Sequence, residues 1–219
     1  GGGIGFSRKS NSKITGGVIE KNKAPNAGGV IVQGEATVEM TGGKIQLNNA
    51  PKGNAAGIYV NNATFNMKDG SITYNTTHES LGGGMYTNNS KINISGGTIS
   101  NNTSHMDGAG AYFNKNSIVT ISGGSFTNNK VVKGAGGGFG VSGKSRITMT
   151  GGTVSGNTAG NAAGVIIQGK AHLNMYGGTI ANNTAVNGGG GLYVNRASAD
   201  LYGGAIRNNK AEKNGGGAY

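Results

Sequence analysis

The chain contains few side chains that could perform acid–base or metal chemistry. Only eight carboxylates and three histidines occur among 219 residues, and most of the acids are scattered. The exception is the pair His78 and Glu79, which is followed along the chain by His105 and Asp107. Imidazole and carboxylate groups bind divalent metals and transfer protons, so these four residues predict either a small site or two solvated loop tips. We favour the loop tips, and we predict no catalytic residue, no metal, no cofactor and no enzyme activity.

The two histidines are separated by one period of a repeat that runs through the whole chain. One copy, at residues 94–102, reads ISGGTISNN. The second glycine of its pair, which we call the reference glycine, has counterparts along the chain at Gly17, Gly43, Gly70, Gly97, Gly124, Gly152, Gly178 and Gly204. Successive positions differ by 26 to 28 residues. A period of this size is typical of a solenoid, so we interpret residues 1–219 as a single repeat domain.

Apolar residues alternate with polar ones on both sides of each reference glycine. Two positions after it, every copy is apolar: Ile19, Ile45, Ile72, Ile99, Phe126, Val154, Ile180 and Ile206. Alternation with a period of two indicates half-buried strands, and a third strand follows a Gly- or Ala-rich run in most copies. The sequence predicts an all-β, right-handed parallel β-helix of about eight coils with three short strands per coil. The right hand is expected because parallel crossovers almost always have it.

An asparagine stands five positions after every reference glycine. The eight residues are Asn22, Asn48, Asn75, Asn102, Asn129, Asn157, Asn183 and Asn209. Asparagine tolerates tight turns, and its amide can pair with the same residue of the next coil. The column predicts an internal asparagine ladder.

Composition excludes several other classes of protein. The 46 glycines come with two prolines and no collagen period, and no apolar run approaches the length of a membrane span. The chain starts without an initiator Met or a signal pattern, and neither end has the polar cap that solenoids normally carry. We therefore expect a fragment of a longer chain whose caps or flanking domains are missing.

Two short motifs carry a resemblance to known proteins. Residues 203–206 read GGAI and residues 126–129 read FTNN, whereas most other copies have GGT or GGS and Ile in place of Phe. These repeats resemble the right-handed β-helices of the pectin-lyase-like superfamily and, more narrowly, polymorphic-outer-membrane-type repeats, known by GGA(I/L/V) and FxxN motifs. The resemblance implies a secreted or cell-surface, adhesin-like protein. It leaves the ligand open because the fold hosts many functions, and it keeps a polysaccharide-active enzyme domain as an alternative.

The middle residue of the third strand is expected to point outward, and it is frequently tyrosine. Tyr59, Tyr86, Tyr112 and Tyr193 form most of this column. Tyrosine offers a flat apolar face and a hydroxyl, which suit stacking on sugar rings or packing against a protein. We predict that these four residues bind a ligand; the alternative is that they only stack on one another.

Basic residues form a second candidate surface. The net charge is +11, and Lys144, Lys170 and Arg196 each lie seven positions before the glycine pair, with Lys115 and Arg146 nearby. Stacked like charges repel, so such a ridge favours an anionic polymer, whether acidic polysaccharide, teichoic acid or a membrane surface. Nucleic acid is not expected because no binding motif is present. A solvated edge that blocks lateral aggregation is the simpler alternative.

Hydroxyl side chains suggest a rival function. One and three positions after the reference glycine, the outward residues include Ser71 and Thr73, Thr98 and Ser100, Ser125 and Thr127, and Thr153 and Ser155. This pattern resembles the T-x-T arrays of ice-binding β-solenoids. The preferred interpretation is a non-catalytic, adhesin-like rod that binds glycans, an anionic polymer or another surface protein, with lateral or end-to-end self-association left open.

Overall fold

The computed structural model describes residues 1–219, which form about eight parallel turns of a β-solenoid without any helix. The all-β solenoid predicted from the repeat is confirmed, while its handedness stays a prediction. The strands form three parallel sheets, and each sheet takes the same segment from successive turns.

The first sheet, which we call the tyrosine sheet, contains the predicted third strands. Its eight members are Ile4–Phe6, Val30–Gln33, Ile58–Asn61, Met85–Asn88, Ala111–Asn114, Phe139–Val141, Val165–Gln168 and Leu192–Asn195. The tyrosine positions pair in register, with Tyr59 beside Tyr86 and Tyr86 beside Tyr112.

The second sheet, the two-armed sheet, has fourteen strands and bends at the reference glycines. Its pre-glycine arm contains Asn11–Ile14, Lys91–Ile94, Ile118–Ile121, Arg146–Met149, His172–Met175 and Ser198–Leu201. Its post-glycine arm contains Val18–Glu20, Thr98–Ser100, Ser125–Thr127, Thr153–Ser155, Thr179–Ala181 and Ala205–Arg207. Two further strands, Thr37–Gln46 and Thr64–Thr73, run continuously through both arms.

A third sheet, the short sheet, was not predicted. It consists of seven two-residue strands: Asn49–Ala50, Thr76–Thr77, Thr103–Ser104, Lys130–Val131, Thr158–Ala159, Thr184–Ala185 and Lys210–Ala211. Most turns therefore contain four strand segments and not the three expected. The difference arises because the chain straightens for two residues after each ladder asparagine, a length too short for apolar alternation to show in the sequence.

One apolar core of 34 buried residues runs through the turns. It is made by the inward residues of the tyrosine sheet and of both arms of the two-armed sheet. Four phenylalanines, Phe65, Phe113, Phe126 and Phe139, are among its largest fully buried side chains. The burial of every second residue in these strands explains why a chain with modest apolar content can form a core.

The asparagine ladder is confirmed. Within the stack, each side-chain amide donates to Oδ1 of the next asparagine and to a carbonyl one coil back, and each Oδ1 also accepts a backbone N–H. For Asn102 the four distances lie between 2.9 and 3.0 Å. Because each internal asparagine is buried and fully paired, the ladder fixes the corner between the two-armed sheet and the short sheet.

A serine ladder, not predicted, occupies the corner between the tyrosine sheet and the pre-glycine arm. Backbone N–H groups donate to serine Oγ one coil further on, from Ala63 to Ser90 (3.3 Å), from Ser90 to Ser117 (3.3 Å) and from Ser117 to Ser145 (3.2 Å). All three serines are buried. The equivalent position, six before the glycine pair, is serine or alanine in every turn, so only a small inward side chain fits this corner.

Candidate ligand-binding surfaces

Part of the tyrosine column is internal. The rings of Tyr59, Tyr86 and Tyr112 stack, with centroids 5.6 and 5.9 Å apart. However, Tyr86 and Tyr112 are each only 4% exposed. Ala55 and Leu81 pack against these tyrosines. Burial raises the pKa of both phenols, since it disfavours the phenolate. The expectation of an open row of aromatics is therefore corrected for Tyr86 and Tyr112.

The loop before each tyrosine strand folds over the column. Gly82 and Gly108 have φ of +67 and +68°, and a Cβ on either would lie within 2.8 Å of Cβ of Tyr86 or Tyr112. At these two positions the absence of a Cβ permits the approach, and the equivalent position of the preceding turn is the small residue Ala55, also with left-handed backbone. The Gly-rich runs before the strands are the sequence signal that could have predicted the cover.

The hydroxyl groups of the tyrosine column are also used internally. Asn88 donates to the Tyr59 hydroxyl at 3.2 Å, and Asn114 donates to the Tyr86 hydroxyl at 2.9 Å. Tyr59 and Tyr193 are half-buried, so they stay predicted ligand contacts of limited area. The Tyr193 ring lies 5.3 Å from the Tyr219 ring at a tilt of 38°, and Tyr193 is separated from Tyr112 by Gly140 and Ile166.

The four acid–base candidates do not converge. Asp107 accepts the Ala135 N–H at 2.8 Å and the Gln168 amide at 3.0 Å, so both of its oxygens hold neighbouring turns together. His78 contacts the Asn49 amide at 3.0 Å. No group of three or more His, Cys, Asp and Glu side chains is arranged to hold a metal ion.

The basic residues do occupy neighbouring turns. Lys144 and Lys170 are in register on adjacent turns, because Arg146 pairs with His172 in the strand that follows. Arg196 lies at the same corner of the next turn, where the segment between the two strands is one residue shorter. We call these three residues together with Lys115 and Arg146 the basic ridge: all five are exposed, and none of the five ion pairs in the structure includes one of them.

In the N-terminal turns the same corner carries one exposed cation without an ion pair, Arg8, and its other side chains are paired. Lys9 pairs with Glu35 at 3.7 Å, and Asn89 donates to Asn62 at 2.6 Å. Unpaired charge at this corner is therefore concentrated in the C-terminal half of the rod.

The post-glycine arm presents a hydroxyl grid. Its first column is Ser71, Thr98, Ser125, Thr153 and Thr179, and its second is Thr73, Ser100, Thr127 and Ser155. Strands lie about 4.8 Å apart and alternate residues about 7 Å apart, so the columns are regularly spaced. Ser100 is only 7% exposed, so the expectation of an open hydroxyl group is corrected at that position. Lys44 precedes the first column, and the second column continues after Ser155 with Ala181 and then Arg207.

A stacked tyrosine pair, missed in the sequence, lies at the end of the pre-glycine arm. The rings of Tyr176 and Tyr202 are 4.8 Å apart with an interplanar angle of 11°. Their exposed fractions are 53% and 64%, far above those of Tyr86 and Tyr112. Both residues directly precede a glycine pair. Because the other turns have Thr, Ser or Lys at this position, the sequence shows no tyrosine column there.

Comparison with protein-family models, with curated proteins and with solved structures finds no match for this chain. The chain has no helix of sufficient length and apolarity to cross a lipid bilayer.

Proposed function

We propose that this chain is a non-catalytic segment of a secreted or surface-exposed protein, in which a rigid adhesin-like rod binds an anionic polysaccharide or another anionic surface polymer. The observation that carries the proposal is the basic ridge, where Lys144, Lys170 and Arg196 stand on three successive turns without an acidic partner. Adjacent turns are about 5 Å apart. A polymer with regularly spaced anions relieves the repulsion among these cations by pairing with several of them at once.

The test measures binding to polygalacturonate, a uronate polymer, as a function of salt. The triple variant Lys144→Gln, Lys170→Gln, Arg196→Gln should bind about 100-fold more weakly, since each cation near an anionic surface contributes about 1 kcal/mol. The matched control, Lys130→Gln, Lys210→Gln, Lys213→Gln, removes the same charge from exposed residues of other turn positions and should lose far less. Equal losses in the two variants would show that only net charge matters and would contradict the proposal.

The resemblance to the pectin-lyase-like superfamily and to polymorphic-outer-membrane-type repeats belongs to the same proposal. The parallel β-solenoid is consistent with it, and the GGAI and FTNN motifs at residues 203–206 and 126–129 support it. Expression of the natural full-length gene product, followed by surface labelling of intact cells, would test the proposed location.

Ice binding is a second candidate, and the hydroxyl grid favours it. Two in-register columns of Ser and Thr extend over four turns without interruption from Ser71 to Ser155. An ice binder should produce thermal hysteresis, which Thr98→Lys with Thr127→Lys should abolish because the charged chains break the flat surface. Absence of hysteresis in the unmodified protein would remove this candidate.

A further inference from the structure

Two adjacent turns carry a strip of polar and aromatic side chains on the outer face of the pre-glycine arm. From the corner to the bend, the strip consists of the pairs Lys170 and Arg196, His172 and Ser198, Asn174 and Asp200, and Tyr176 and Tyr202. In the paired strands His172–Met175 and Ser198–Leu201, alternate residues point to the same side, which places His172, Ser198, Asn174 and Asp200 on one face. Lys170 and Arg196 lie at the corner before these strands, Tyr176 and Tyr202 follow them directly, and all four are exposed. The strip is about 20 Å long and two turns wide.

The middle of the strip is ordered by hydrogen bonds. The two ring nitrogens of His172 contact Oγ of Ser198 at 2.6 Å and Oδ1 of Asn174 at 3.0 Å, and Nε2 is 3.4 Å from the Asp200 carboxylate. These contacts leave the Asn174 amide N–H groups and one Asp200 oxygen without a protein partner. A donor and an acceptor side by side match the vicinal hydroxyl groups of a sugar.

The two ends of the strip differ in chemistry. The Tyr176 and Tyr202 end offers exposed aromatic surface, which packs against the apolar C–H face of a pyranose ring. The Lys170 and Arg196 end offers two unpaired cations, and arginine binds carboxylate through two parallel hydrogen bonds. We infer that this strip is a binding site for a short acidic oligosaccharide, which lies along the strands and therefore across the rod.

This inference rests on the proposed function and refines it. The ridge alone would attract any polyanion along the axis of the rod. The strip adds a ring-stacking end and a hydroxyl-binding centre on the same two turns, which select a sugar and set the direction of the bound chain. Because the site is about 20 Å long, affinity should stop rising once the oligosaccharide spans the strip.

The experiment uses oligogalacturonates of increasing length with calorimetry and with NMR of the tyrosine rings. The variant Tyr176→Ser, Tyr202→Ser should bind about tenfold more weakly, in line with the loss of one stacked aromatic contact. The control Tyr74→Ser removes a tyrosine of similar exposure, 56%, from another face and should bind like the unmodified chain. Ring signals of Tyr176 and Tyr202 should shift on binding, whereas those of the buried Tyr86 and Tyr112 should not.

The outcomes separate this inference from the broader proposal. If the tyrosine variant binds short oligogalacturonates unchanged while the ridge variant loses polymer binding, the strip is wrong and the anionic-polymer rod stands. Affinity that keeps rising with length far beyond the strip also contradicts binding across the rod. If neither oligomer nor polymer binds the unmodified protein, both the inference and the proposed function are refuted.

Discussion

Removal of one ladder asparagine is the sharpest test of how this fold is held together. Asn102 is fully buried and lies at the middle of the ladder. Its side chain accepts from the backbone N–H and the amide of Asn75, and it donates to the Ile72 carbonyl and to Oδ1 of Asn129. Asn102→Ala deletes all four hydrogen bonds while it leaves the apolar columns intact.

The loss in free energy of unfolding depends on which partners of the Asn102 side chain are left without any hydrogen bond. The Asn75 amide still donates to Ile45, and Oδ1 of Asn129 still accepts the Asn102 backbone N–H. The Asn75 backbone N–H is left without an acceptor in the buried corner, which costs about 1 to 3 kcal/mol. With about 1 kcal/mol for each of the other three hydrogen bonds that are lost, we expect a total of about 4 to 6 kcal/mol.

Urea unfolding followed by circular dichroism measures this loss. At a slope of about 3 kcal/mol/M, the midpoint should fall by roughly 1 to 2 M. Asn116→Ala is the matched control, because Asn116 is exposed, and it should change the free energy of unfolding by no more than about 0.5 kcal/mol. If Asn102→Ala and Asn116→Ala unfold at the same midpoint, the hydrogen-bonded ladder does not stabilise the corner as argued.

Three further perturbations test other parts of the fold. Ser117→Ala should lower the free energy of unfolding by about 1 to 2 kcal/mol in urea melts, because the Ser90 N–H loses its acceptor. Gly97→Ala should cost more than about 2 kcal/mol in the same assay, since φ is +78° and the added Cβ would lie 2.8 Å from the backbone carbonyl oxygen of Gly70. The raised pKa values of Tyr86 and Tyr112 mean that the folded state holds these protons more tightly than the unfolded state. The free energy of unfolding should be unaffected below pH 10, the ordinary tyrosine pKa, and should decline as pH rises from 10 through the raised pKa values. Tyrosinate absorbance measured against pH, with Tyr86→Phe as control, would check this titration.

The core and the asparagine ladder were predictable because they obey the repeat. A buried residue such as Ile99 or Asn102 contacts its own counterparts in the adjacent turns, so each turn imposes the same requirement on the next. The period therefore appears directly in the sequence, and the eight-turn solenoid follows from it.

The serine ladder was missed for a physical reason. At its position the fold demands only a small side chain, and Ser90 alternates freely with alanines such as Ala63 in other turns. The hydrogen bond is used where serine is present and is replaced by close packing where it is not. A requirement for size gives a weaker signal than a requirement for one chemical group.

The exposure of the tyrosines could not be predicted from alternation. Alternation shows on which side of a strand Tyr86 lies, but it does not show whether a loop covers that side. The cover comes from the segment around Gly82, whose approach depends on left-handed backbone. Conversely, Tyr176 is exposed because no loop folds over the bend at the glycine pair.

The outer corner of the rod is where the fold places the fewest demands on side-chain identity. The corner requires only a small inward residue, serine or alanine, such as Ser145 beside Lys144. The side chain of the outermost residue of the corner is exposed to solvent. Turns of nearly equal backbone geometry therefore accept the ion pair of Lys9 with Glu35 at one end and unpaired Lys170 at the other. Because folding does not require this asymmetry, and because it creates local repulsion, the arrangement of charge at the C-terminal turns is consistent with the proposed binding of an anionic polymer.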